Sequence, residues 1–239
     1  MTLRLVLTLP VLLAGVPAPV VAQETFSMPA GCTAYVTVQK RGCVVSHLFR
    51  CEGDPAGYQR RADMTEAGLT YVGVIDAETQ WIESYYAGSG QTDTLAPDPI
   101  DVASLSELME TGFDSWDFRT LTDGALVTRH QGSDRLTGRV VTIDGVALEE
   151  TAFEATVLDE AGIQLWRLEG TEYISRDWRT FLSGTRTMTM PDETYDTDYT
   201  PVAFIFPGEP GFLGSQPRYD CSVVMSGLES QLTPVLWSE

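Results

Sequence analysis

The feature that most constrains the fold is a long segment without a strand breaker. Val146–Leu158 spans thirteen residues with neither Gly nor Pro, and turn signals flank it at Asp144–Gly145 and Glu160–Gly162. As one β-strand it would extend about 43 Å, whereas an ordinary strand has about five or six residues. Long neighbouring strands have to twist and coil, so this segment predicts a strongly curved sheet.

The neighbouring segments predict an antiparallel meander. Val140–Ile143 precedes Asp144–Gly145, and an Asp-Gly pair favours the type I′ turn of a tight hairpin. Ile163–Ile174 follows the long segment and is nearly as long, and further turn signals stand at Asp76–Ala77 and Asp123–Gly124. We predict a mainly β fold, a curved antiparallel meander (an open or half barrel) with long strands.

One short helix is predicted between the strands. Ser104 and Glu107 have the spacing of a capping box, in which two side chains and two backbone N–H groups bond reciprocally. Leu105 and Leu108 share one face, and Gly112 ends the helix. A helix of this length can cover one face of the sheet and no more.

The amino terminus has the three parts of a secretory signal. Arg4 supplies a positive charge, Leu5–Val16 is apolar, and Pro17–Ala22 is a stretch of short side chains. The apolar core is too short for a transmembrane helix, which needs about 20 residues. We predict a signal peptide over residues 1–22, cleaved after Ala22, no transmembrane anchor, and a periplasmic or secreted protein. Residues 23–239 then form a single β-rich domain, ending in a packed segment or a frayed tail.

The four cysteines fit this oxidising destination. Cys32, Cys43, Cys51 and Cys221 are an even set, which in an exported chain indicates two disulfide bonds. The alternative is a metal site, but the set lacks the close Cys pair and the His spacing of zinc sites. We therefore predict two disulfides and no metal.

A hairpin near the start of the mature chain selects the pairing. Ala34–Gln39 and Val44–Arg50 are β-rich runs, and a two-residue turn at Arg41–Gly42 would set Cys32 directly opposite Cys51. Cross-strand neighbours lie at about the separation that a disulfide needs. The hairpin thus predicts the Cys32–Cys51 bond.

The remaining two cysteines, Cys43 and Cys221, would join the end of the chain to its start. The weaker alternative is a Cys43–Cys51 bond, because eight residues of extended chain would hold those two cysteines about 26 Å apart.

The charge of the chain excludes one large class of partner. Its 34 acidic and 15 basic side chains give a net charge of −19, while 43% hydrophobic residues are typical of a packed globular protein. Because no net positive field draws in phosphates, we expect no nucleic-acid binding. The acidic run Asp192–Asp198 lacks the residue order of a calcium loop and is more typical of a solvated turn.

The common catalytic motifs are missing from the sequence. There is no Gly-x-Ser-x-Gly elbow, no His-Glu-x-x-His, no phosphate loop and no Gly-x-Gly-x-x-Gly. A nucleophilic triad needs a base, and we expect the two histidines, His47 and His130, to be structural or surface residues. Carboxylates are numerous, but nothing in the pattern selects two of them. We predict no cofactor and favour a protein that is not an enzyme.

The most unusual run is Tyr173–Arg179. Arg176 and Arg179 stand beside an acid and a tryptophan, and two arginines can form an anion-recognition patch on an acidic surface. The alternative is a turn between strands, in which each arginine pairs with an acid and Trp178 lies in the core.

Several segments together carry a resemblance to known proteins. The leader, Pro29–Cys32, Gly138–Gly145, Tyr173–Gly184 and Phe206–Phe212 resemble an uncharacterised group of secreted alphaproteobacterial proteins over most of the mature chain. At the level of architecture, a meander of long strands with little helix is similar to the half-barrel of periplasmic lipoprotein carriers.

Three functions follow from these patterns. The first is a non-enzymatic periplasmic binding or carrier protein whose curved sheet holds a lipid or another apolar small molecule against Phe153, Val157, Trp166 and Leu168. The second is a structural or interaction module of the cell envelope, with a filled core and an unknown protein partner. The third is a hydrolase with an unrecognised carboxylate site.

Overall fold

The structure, a computed structural model, describes residues 25–221. The predicted signal peptide and the predicted tail after Cys221 lie outside the described residues. Within the described range, no helix has the length and apolar character needed to cross a membrane.

One antiparallel sheet contains all thirteen strands, which confirms the mainly β meander with one short helix. The first twelve strands follow one another across the sheet in chain order, and the last strand returns to pair with the first. The elements are β1 (Cys32–Lys40), β2 (Val44–Cys51), β3 (Gln59–Thr65), β4 (Gly68–Ile75), β5 (Trp81–Tyr86), β6 (Gln91–Leu95), α1 (Leu105–Thr111), β7 (Phe113–Thr122), β8 (Leu126–Ile143), β9 (Val146–Leu158), β10 (Gln164–Ser175), β11 (Thr180–Thr189), β12 (Thr194–Asp198) and β13 (Pro201–Ile205).

The long central strands are as the sequence predicts. Strand β9 covers the thirteen residues of the uninterrupted segment, and its hairpin with β8 turns at Asp144–Gly145, where both residues have positive φ. The Asp-Gly pair adopts this conformation more readily than most residues. Strand β10 begins and ends one residue later than predicted.

The sheet is open, but its two ends approach each other. Strands β12 and β13 do not pair, and the connection Tyr199–Thr200 runs between them. The backbone N–H of Tyr199 donates to the carbonyl of Gly184 at 3.0 Å, and that of Arg41 donates to the carbonyl of Thr200 at 3.0 Å. These bonds tie the β11 end of the sheet to β1 and hold it curved.

The first hairpin contains the predicted Cys32–Cys51 disulfide, but its turn differs from the predicted one. Cys32 lies opposite Cys51 and is bonded to it, and Cys43 is bonded to Cys221. The predicted two-residue turn is wrong: Lys40 pairs with Val44, so the turn has three residues. A β-bulge between Ala34 and Val36 shifts the register back by one residue. The two offsets cancel at the cysteines.

Helix α1 begins and ends where the capping signals place it. The Ser104 side chain accepts from the N–H of Glu107, and Gly112 adopts a left-handed φ of 83°. The reciprocal half of the predicted capping box is replaced, because the N–H of Ser104 donates to Asp114 at 2.9 Å. Leu105 and Leu108 are buried against Ile174, so the helix covers part of the sheet.

Both faces of β1 and β2 are buried. Val36, Val38 and Leu48 pack in one core cluster with Leu148 and Leu182 of β9 and β11. On the other face, Phe49 and its neighbours pack against the two terminal segments of the described chain. The terminal segments therefore form a second layer on the face of β1 and β2 that lies opposite the first core cluster.

Candidate binding site on the concave face

The curvature brings distant strands together on one face. Arg61 of β3 and Glu172 of β10 interact electrostatically although six strands lie between β3 and β10 in the sheet. We call the face that carries these two side chains the concave face. Lys40, Arg61, Asp63, Glu172 and Arg186 form its charged cluster.

Asp63 forms ion pairs with two cations of this cluster, Lys40 and Arg61. Its carboxylate lies 3.4 Å from Lys40 Nζ and 3.2 Å from Arg61 Nε, and it accepts a hydrogen bond from Ser46 Oγ at 2.5 Å. Burial alone would raise the pKa of Asp63, but Arg61 and Lys40 hold it below its ordinary value. Burial lowers the pKa of Lys40 to about 8, and Asp63 opposes that effect.

Arg186 is held in place without a carboxylate. Its Nε donates to Thr197 Oγ1 at 3.1 Å, and its guanidinium lies 5.0 Å from the ring centre of Tyr199. Lys40 lies 5.9 Å from the same ring. Within residues 25–221 the terminal amino groups of Arg186 have no ion-pair partner.

Glu172 faces the cations without touching them. Arg61, Arg186 and Lys40 each influence its charge, but no cation of the described chain lies within the 4.0 Å of an ion pair. Burial, together with the charge of Asp134, raises the pKa of Glu172 to about 8 despite the cations. The carboxyl is therefore mostly protonated at pH 7.

The charged cluster is enclosed by protein yet accessible. The side chain of Arg61 is 37% exposed and Tyr86 is 39% exposed. Groups from β1, β3, β8, β10 and β11 nevertheless act on one another here, and burial raises the pKa of Tyr86. Arg61 and Tyr86 are thus surrounded by protein groups of the concave face while part of each side chain remains in contact with solvent.

An aromatic cluster forms the adjoining part of this face: Trp81, Trp116, Phe118, His130 and Trp166. Trp81 makes ring contacts with three of the others at centroid distances of 5.5–5.8 Å, and His130 stacks on Phe118 at 5.2 Å. Trp81 itself is 42% exposed. Burial lowers the pKa of His130 to about 4, so the imidazole is neutral at pH 7.

The two clusters are joined through Asp134. Its carboxylate accepts a hydrogen bond from Trp116 Nε1 at 3.0 Å, and its charge acts on Glu172. Burial raises the pKa of Asp134 to about 6. Met188, two residues beyond Arg186 on β11, packs against the aromatic cluster. The concave face therefore has an aromatic part that borders directly on a cationic part.

The four predicted ligand-binding residues lie together on this face. Val157 is opposite Trp166 in the β9–β10 pair, and Phe153 and Leu168 belong to the core cluster around Trp116. Val157 is 2% exposed and Leu168 is 7% exposed, so these two are packed. Phe153 and Trp166 are half-buried, so part of each ring remains in contact with solvent.

The two arginines of the predicted anion patch lie apart from the charged cluster and hold carboxylates of the chain. Arg176 Nε donates to Glu149 at 2.8 Å. Arg179 donates to Glu78 at 2.9 Å and to Ser106 Oγ at 3.0 Å. These contacts tie the β10–β11 turn to neighbouring segments.

Two other features bear on binding. A half-open groove of about 490 Å³ runs beside the Cys32–Cys51 bond on the opposite face, lined in part by Phe49 and Leu69. Among the described residues, the one cluster with metal-ligand spacing is formed by Cys43, Glu66 and Cys221. Both of its sulfurs are in a disulfide and offer no thiolate.

Sequence reasoning missed the charged cluster. Its members come from β1, β3, β10 and β11, and no local motif connects them. Arg61 and Asp63 are two positions apart in β3, which places both on one face of that strand, but the segment is poor in the β-branched and aromatic residues that would have predicted a strand there.

Comparison with family models, curated proteins and solved structures finds no match to this chain. What the site binds has to be inferred from its own residues.

Proposed function

We propose that this is an exported, non-enzymatic binding or carrier protein that holds a lipid-like small molecule on its concave face. The observation that carries the proposal is the exposed Trp81 at the edge of an aromatic cluster that borders the charged cluster. Ligand sites are typically concave and apolar, with a few polar groups that orient the ligand. The two disulfides support an oxidising location, in the periplasm or outside the cell.

The architecture supports the same proposal. An open, curved sheet leaves one face free to cover an acyl chain, as the similarity to periplasmic lipoprotein carriers implies. The bulkiest exposed ring on that face, Trp81, would lie against the chain, while Phe153 and Trp166 would form the floor. Aromatic rings bury large apolar area at little conformational cost.

The test combines native mass spectrometry with two alkyl probes, laurate and dodecanol. We expect the purified, oxidised protein to release an acyl compound on denaturing extraction, or to bind both probes with a change in tryptophan fluorescence. Trp81→Ala should weaken both probes by about tenfold, because a ring contact is lost. Ile163→Ala, at an exposed apolar residue in the β9–β10 turn, is the matched control and should leave binding unchanged. A bare mass together with no binding of either probe would overturn the proposal and favour the interaction module.

A second candidate function rests on Asp134 and Glu172. Their environments set pKa values of about 6 and about 8, and such divergence is a mark of acid–base pairs. Hydrolysis of chromogenic glycosides or esters that disappears in Glu172→Gln but persists in Glu169→Gln would support a hydrolase. No turnover of these substrates by the wild-type protein would leave the pair without a catalytic role toward them.

A further inference from the structure

We propose that Arg61 and Arg186 bind the anionic headgroup, a carboxylate or a phosphate, of the ligand whose chain lies on the aromatic cluster. This inference rests on the proposed function above. It names the chemistry of the polar end of the ligand, which the aromatic cluster alone leaves open.

The charge balance of the cluster is the first support. The chain as a whole carries a net charge of −19. The charged cluster instead holds three cations and two carboxyl groups, and only Asp63 forms ion pairs with the cations. A local excess of positive charge inside an acidic protein attracts an anion that the outer surface repels.

The second support is that both guanidinium groups are held in position. Arg61 lies 5.1 Å from the ring centre of Tyr71, and its Nε faces Asp63. Arg186 is held by Thr197 and by the ring of Tyr199. Among residues 25–221 no side chain pairs with the terminal amino groups of these two arginines, and a stacked guanidinium presents the planar fork that matches carboxylate and phosphate oxygens. Because the fork is already oriented, less conformational entropy is lost on binding.

Glu172 is the group that could compete with such a ligand. It makes no ion pair with the cations in the described chain, and its pKa of about 8 keeps it mostly protonated at pH 7. A protonated carboxyl carries no charge that would repel an anion, and it can donate a hydrogen bond to one. Lys40, Arg61, Arg186 and Asp134 are the charged groups that act on it.

The experiment compares laurate, dodecanol and inorganic phosphate on the oxidised protein at pH 7. Laurate and dodecanol share one chain length and differ in charge, while phosphate is an anion without a chain. We expect laurate to bind at least tenfold more tightly than dodecanol, because a charged hydrogen bond contributes about 1.5–3 kcal/mol and 1.4 kcal/mol is tenfold in affinity. Arg186→Gln should remove most of this difference by weakening laurate alone.

Two further arginine variants complete the comparison. Arg167→Gln makes the same charge change at an exposed residue paired with Glu154 and Glu169, and it should leave the preference for laurate intact. Arg186→Lys keeps the charge and loses the fork, so an intermediate preference is expected. Unfolding temperature and intact disulfide mass check that each variant is folded.

The outcomes separate the two proposals. Equal binding of laurate and dodecanol would overturn the headgroup site while the carrier function stands. Phosphate binding that is sensitive to Arg186→Gln, with neither alkyl probe bound, would support an anion site for a free anion and overturn the carrier. A preference for laurate that survives Arg186→Gln but is lost in Arg176→Gln would overturn the assignment in favour of the β10–β11 turn.

Discussion

The two faces of β1–β3 bury polar groups in different ways. On the convex side, His47 Nδ1 lies 3.0 Å from Thr37 Oγ1, which also accepts from the N–H of Leu213 at 2.9 Å. Phe26 stacks on the imidazole at 4.9 Å and closes the layer. On the concave side, the charged cluster stays partly exposed, and the terminal amino groups of Arg186 have no ion-pair partner among residues 25–221.

The difference in exposure between the two faces indicates two roles for their polar groups. The His47–Thr37 pair joins the strands to the terminal segments through Leu213, and Phe26 covers it. His47 is fully buried, and its Nε2 has no hydrogen-bond partner among residues 25–221, so this group belongs to the packed fold and is out of reach of a ligand. The concave groups are held in position but incompletely paired, which is typical of sites that complete their contacts with a ligand.

The largest effect should come from the Cys43–Cys221 bond, which joins residues separated by 178 positions. Replacing both cysteines by Ala should lower the free energy of unfolding by about 4 kcal/mol, because the unfolded chain gains the entropy of a very long loop. Urea unfolding measures it, and the Cys32→Ala, Cys51→Ala protein is the comparison, with an expected loss of about 3 kcal/mol. The folded fraction should still bind laurate. Loss of laurate binding without loss of stability would contradict the view that the convex face stabilises the fold while the concave face binds the ligand.

Asp63→Asn should have the next largest effect. The change leaves Lys40 and Arg61 without their shared carboxylate in an enclosed site, which costs about 3 kcal/mol of unfolding free energy. Asp198→Asn is the control, because its partner Arg41 is half exposed and such surface pairs contribute about 1 kcal/mol or less. Similar losses in the two variants would show that the concave cluster is as well solvated as the surface.

Glu172→Gln should have the smallest effect of the three when it is compared with the wild type at pH 5. The folded pKa of about 8 is raised above its ordinary value, so the contribution of Glu172 to stability is complete below about pH 4.5 and is lost as pH rises through 8. The variant should therefore match the wild-type unfolding temperature at pH 5 and exceed it at pH 9.

His47 has the opposite sign on the other face. Burial lowers the pKa of His47 to about 4, so its contribution to stability is present above about pH 6.5 and is lost as pH falls through 4.

For Glu172, the contradicting outcome is an unfolding temperature of Glu172→Gln that runs parallel to that of the wild type from pH 5 to pH 9. Such a result would contradict the enclosed character of the charged cluster.

Local patterns predicted much of the fold and little of the site. The uninterrupted β9 segment, the Asp-Gly turns and the caps of α1 depend on a few adjacent residues, and each is confirmed. The predicted turn after Lys40 was too short by one residue. A β-bulge elsewhere in the same hairpin cancels this offset at the cysteines. The Cys32–Cys51 prediction was correct although one of its premises was not.

The sequence by itself determined the antiparallel order and the long strands, because hairpins follow from neighbours in the chain. It favoured both disulfide pairs, Cys32–Cys51 through an approximate hairpin register and Cys43–Cys221 as the two cysteines that remained. Only the tertiary structure decided that Arg61 and Arg186 lie close enough to Glu172 to act on its charge. Their strands meet because the sheet curls until Tyr199–Thr200 connects its two ends. Such curvature accumulates from small twists over many strands, and no single residue specifies it.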